Sequence, residues 1–62
     1  MDTDTAVNLA VLAQEFNAAG GMWADTPTAH RCHEALANAI EACSDYDAAL
    51  AQTQKLVPDF GY

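Results

Sequence analysis

The sequence predicts an all-α protein built as a helical hairpin, with a short helix, a Gly-Gly turn and a long helix. Three observations predict it. Apolar residues recur every three or four positions on both sides of a glycine pair, which is the spacing of one helix face. Gly20-Gly21 and Asp25-Thr26-Pro27 punctuate the chain as stop and start signals. From Pro27 to Val57 neither glycine nor proline interrupts it. The expected organisation is one domain over residues 1–62, with a helix at about 4–19, a turn at 20–26, a helix at about 27–57 and a tail at 58–62.

The first helix is announced by Asp2, Thr3, Asp4 and Thr5, which offer capping oxygens and negative charge to the positive end of a helix dipole. Leu9, Leu12, Phe16 and Ala19 then share one face, with Val7 and Val11 expected to flank that stripe. The glycine pair ends the helix, and Met22, Trp23 and Ala24 follow as a short apolar loop. Proline at the first position of the second helix fits its fixed φ and missing N–H. Along that helix Ala29, Cys32, Leu36, Ala39, Cys43, Tyr46, Leu50, Thr53 and Val57 alternate spacings of three and four, a heptad pattern widened by Ile40. Pro58 closes it. The alternative is a monomeric three-helix bundle broken at Ser44, since Ser44-Asp45-Tyr46-Asp47 could cap a new helix. The unbroken heptad phase favours the single rod.

A rod over 27–57 would be about 45 Å long, against about 24 Å for the first helix. Its far end would overhang, and a small protein rarely leaves such an apolar strip in water. Pairing two hairpins into a homodimeric four-helix assembly would cover it, with Leu36, Ile40, Cys43, Tyr46, Leu50 and Val57 as the dimer seam. Size points the same way. The chain has 62 residues, 52% of them apolar, but 14 are alanine, so few large side chains are available for a self-sufficient core.

Charge narrows the classes of function. Nine acidic residues face two basic ones, Arg31 and Lys55, for a formal charge of −7. Phosphate repels such a chain, which argues against direct binding of nucleic acid or an anionic membrane surface. The expected partners are a second copy of the chain and a larger protein with a basic or mixed surface. No apolar run is long enough to span a membrane, and the acidic N-terminus does not read as a secretory leader, so the chain reads as complete and cytoplasmic. The cysteines agree with that compartment. On one helix Cys32 and Cys43 would lie about 16 Å apart, too far for a disulfide, and read as reduced, buried thiols.

Little in the sequence carries reaction chemistry. His30, Cys32, His33 and Glu34 crowd together, but His30 shares a helix face with His33 or Glu34 while Cys32 points away toward the seam. One chain then offers two ligands where zinc takes three or four, so neither a metal nor a cofactor is expected. Cys32 and His33 are neighbours that face different ways, which does not suit a nucleophile and its base. No glycine-rich loop with a lysine is present, and an enzyme is not expected.

The remaining candidates are contact residues. Trp23 beside the glycine pair reads either as a plug for the end of the hairpin or as an aromatic anchor for a partner, and Met22 goes with it. Phe60 and Tyr62 in the tail have the same two readings and lean toward contact outside the monomer. Glu34, Glu41 and Asp45, with Asn38 among them, line the face opposite the seam as a solvated surface or an acidic docking stripe. Such a stripe could also imitate nucleic acid. The organisation resembles the small acidic helical hairpins with which phages and mobile elements disable host regulators, a likeness of architecture that implies a non-enzymatic protein which binds and modulates a larger one. The competing expectation is an assembly subunit acting only through oligomerisation.

Overall fold

The protein is described by a computed structural model over residues 2–61. Three helices follow one another: α1, Thr3–Ala18; α2, Pro27–Glu41; and α3, Tyr46–Gln54. A single 3-10 turn, Gly21–Trp23, joins α1 to α2, and no strand occurs among the described residues.

Each helix begins where a side-chain oxygen meets an otherwise unpaired backbone N–H. Asp2 Oδ1 accepts from the Thr5 N–H at 2.8 Å, Thr26 Oγ1 from the Ala29 N–H at 3.1 Å, and Asp45 Oδ1 from the Ala48 N–H at 3.1 Å. Hydrogen bonds from Thr5, side chain first and backbone second, hold the exposed Asp2 carboxyl below its ordinary range. Pro27 occupies the first turn of α2, where its missing N–H costs nothing.

The rod expected over 27–57 is not formed. α2 stops at Glu41, residues 42–45 leave the helix, and α3 starts afresh at Tyr46. The cause is local. Asp45 adopts φ −120° and ψ 89° and turns its carboxylate onto the third residue ahead, while Asp47 adds negative charge in the new first turn. A four-residue connection suffices between packed helices, and α1 packs against both α2 and α3. The heptad phase passes through the break because α3 aims its apolar residues at the same core that α2 serves. Three and four spacing therefore did not distinguish a continuous helix from two helices facing one centre.

That centre is small and contiguous. Leu9, Ala13 and Phe16 of α1 meet Leu36 and Ile40 of α2, Ala49 of α3, and Val57 and Phe60 of the closing segment. Leu12, Met22, Cys32, Ala39, Cys43 and Leu50 pack around it half-buried. Thr53 is buried as well, its hydroxyl donating to the Ala49 carbonyl at 3.0 Å, so no polar group is stranded there. The radius of gyration is 10.6 Å, close to the value of about 10.6 Å expected of a compact chain of this length. The longest dimension is 31 Å, shorter than the rod would have been.

The seam residues are redistributed accordingly. Leu36, Ile40 and Val57 are buried inside one chain. Cys43 lies half-buried in the α2–α3 connection, its Sγ donating to the Ala39 carbonyl at 3.2 Å, and Leu50 packs half-buried on the core. Only Tyr46 stands out, exposed at the start of α3. No overhang remains, and with it goes the argument for a second copy that the overhang supplied.

Candidate interaction surface

The turn between α1 and α2 depends on its two glycines. Gly20 has φ 114° and ψ −7°, and a Cβ there would lie 2.5 Å from the Ala24 Cβ, so only glycine fits on both counts. Gly21 follows at φ 72°. The Ala24 N–H donates to the Gly21 carbonyl at 3.2 Å and closes the 3-10 turn. On the far side, His30 Nε2 donates to Asp25 Oδ1 at 2.8 Å, tying the loop to the first turn of α2. Behind it, Asn17 Nδ2 donates to the Leu56 carbonyl at 2.8 Å and joins the end of α1 to the chain after α3.

Two adjacent side chains on this turn take opposite directions. Met22 tucks half-buried against the core. Trp23 leaves it, with 88% of its surface open to water. Of the two expectations for Trp23, the plug is excluded and the outward aromatic remains. The cavity between α1, the turn and α2 is lined instead by Phe16, Gly21, Met22, Ala24, Ala29, His30 and His33, and measures about 230 Å³.

Phe60 corrects an expectation. It is buried, with its ring edge-on to Phe16 at 6.1 Å between centroids and tilted against His33 at 4.9 Å. His33 meets Phe16 as well, edge-on at 5.6 Å, so the three rings form one cluster. Gln54 Nε2 donates to the Phe60 carbonyl at 2.7 Å and Phe60 N–H to the Val57 carbonyl at 3.0 Å, which fold the closing segment back over the core. Phe60 is thus out of a partner's reach. Tyr62, expected beside it, lies outside the described residues.

The acidic stripe is only partly assembled. Glu34 and Glu41 are exposed on α2, two turns apart. Asp45 is exposed but belongs to the connection, where its carboxylate is engaged as the cap of α3. At the foot of the bundle a cleft of about 600 Å³ is lined by Asp2, Asp4 and Asp45 with Thr5, Asn8 and Ser44, over a floor that includes Ala39, Ala42 and Cys43. Among the described residues no three His, Cys, Asp or Glu side chains converge as a metal ion requires. Both cysteines are free thiols.

One exposed surface was missed in the sequence. Val7 and Val11 do not flank the buried stripe of α1. They stand opposite it, 55% and 46% exposed. The signal was available, since four-residue spacing puts them on one face and about 180° from Leu9, Ala13 and Phe16 at 3.6 residues per turn. No helix among the described residues is long and apolar enough to cross a membrane.

Comparison with known proteins adds no assignment: no family model matches the chain, and neither curated proteins nor solved structures give a match.

Proposed function

We propose that this chain is a small acidic, non-enzymatic interaction protein that binds a larger protein through its α1–α2 turn and modulates it by occluding the surface it covers. The observation that carries the reading is Trp23. An indole left 88% in water contributes almost nothing to the chain's own stability. Tryptophan is nevertheless the residue most often found as the energetic centre of a protein interface. The turn holding it needs glycine at Gly20 and carries the exposed Asp25–His30 contact on its far side, and it presents the ring away from the core. A formal charge of −7 directs the protein toward basic or mixed surfaces and away from nucleic acid.

The test compares wild-type protein with Trp23→Ala in co-purification from cells that make the chain naturally. The variant is expected to keep its helical content and melting temperature and to lose the captured protein. Trp23 is the only tryptophan in the sequence, so a blue shift of its emission on adding the purified partner would report contact directly. Equal capture by both proteins, with no spectral change, would overturn the reading.

A further inference from the structure

The outer face of α1 has no role in this fold. Val7, Val11 and Ala18 fall within about 40° of one another, opposite Leu9, Ala13 and Phe16. All three are exposed. Valine is a poorer helix former than alanine or glutamine because its branched Cβ loses rotamer freedom against the preceding turn. Two valines one turn apart on a water-facing side therefore weaken α1 locally and expose apolar surface together. The outer side of α1 thus sets two valines and an alanine beside exposed Gln14 and Asp4, and α2 and α3 leave it uncovered.

The surroundings say what covers the other. Asp4 and Glu15 run along one flank of the valine pair. On the other flank the surface dips into a shallow groove of about 350 Å³ between α1 and α3, lined by Asp2, Thr3, Ala6, Val7, Ala10 and Gln52. Among the described residues the carboxylates of Asp4 and Glu15 thus border the face, with the capping Asp2 at its N-terminal end, against one cation, Lys55, which leans onto Gln52 Oε1 at 3.2 Å. A second copy of this chain would bring another charge of −7 and set carboxylates against carboxylates. An amphipathic segment with aliphatic residues on one side and lysine or arginine on its edges meets both requirements. Its apolar side chains would cover Val7 and Val11, and its cations would reach Asp4 and Glu15.

We infer that the outer face of α1 is a docking site for a basic amphipathic helix of a partner protein. The inference rests on the interaction reading above and names the chemistry of the partner. A helix laid against it contacts positions spaced three and four apart along α1, the usual geometry of helix recognition.

The experiment titrates isotope-labelled full-length chain with a synthetic helical peptide carrying leucine on one face and lysine on both edges. The same peptide with glutamate edges and a scrambled peptide of identical composition serve as comparators. Amide shifts confined to Asp4, Val7, Val11, Glu15, Ala18 and Gln52 with the basic amphipathic peptide alone are expected. Val7→Ala with Val11→Ala should weaken that binding at least tenfold while the melting temperature stays level or rises, since alanine favours the helix. Shifts elsewhere, absence of binding, equal binding of either comparator, or unchanged affinity in the double variant would overturn the inference. A dimeric mass for the chain alone, with Val7 and Val11 protected, would overturn it in favour of a second copy. Trp23→Ala capture is scored separately, so loss of the peptide site and loss of the interaction reading are told apart.

Discussion

Trp23 and Phe60 make an instructive pair. Each is an aromatic residue outside the three helices, next to a helix-ending segment and close to a glycine. Yet Phe60 is 4% exposed and Trp23 is 88% exposed. The difference arises from what each backbone does. Phe60 is brought home by a tight turn, with its own N–H and carbonyl both engaged, and it completes a cluster with Phe16 and His33. Trp23 sits one residue after Met22 on a turn whose inward position Met22 already takes. In a core this small one ring completes the packing and the other is surplus to it. The surplus ring is the one left on the surface.

Substitutions can break or sharpen that contrast, and the largest effect falls on the buried member. Phe60→Ala should cost about 3–5 kcal/mol, much of the total of about 3–9 kcal/mol that a chain of this length holds. Chemical denaturation would show a strongly lowered midpoint or, at the lower end of that total, a chain already unfolded. Gly20→Ala comes next, at about 1–3 kcal/mol, because the new Cβ would meet Ala24 in a backbone conformation that disfavours any side chain. Its melting curve should shift downward, and amide resonances of the 3-10 turn should move with it.

Asp45→Ala removes the cap that starts α3 and should cost about 1 kcal/mol, read as fraying at Tyr46 and Asp47 in hydrogen exchange. Trp23→Ala has the smallest effect on stability, within about 0.5 kcal/mol. A larger loss would make Trp23 part of the fold after all and erase the contrast.

Much of the architecture was legible in the sequence. The caps at Asp2 and Thr26, the glycine stop and Pro27 each depend on one or two neighbouring residues, and each appears as read. So do Leu9 and Phe16, whose size and spacing leave one place to go, whereas Leu36 and Ile40, expected in a dimer seam, are buried within the one chain. The break at 42–45 was not resolved, because it depends on whether Asp45 caps a new helix or points into water along an old one. Both choices satisfy the same apolar periodicity. That one ambiguity produced the long rod, the overhang and the seam over Leu36, Ile40 and Val57 together.

The proposed contact surface was less legible for a related reason. Whether a loop aromatic faces inward depends on how much core is left over once the helices have packed, a quantity set by the whole chain. Trp23 and Phe60 could therefore not be separated from local sequence. Val7 and Val11 could have been, from their angle to Leu9 and Phe16.

The central claim is that the tryptophan ring belongs to the surface of the folded protein, and its own fluorescence tests this most directly. The emission maximum of the native protein should already lie at the long wavelength of a water-exposed indole and should hardly move when the chain is unfolded in denaturant. A native spectrum shifted to shorter wavelength, relaxing to the red on unfolding, would contradict the account.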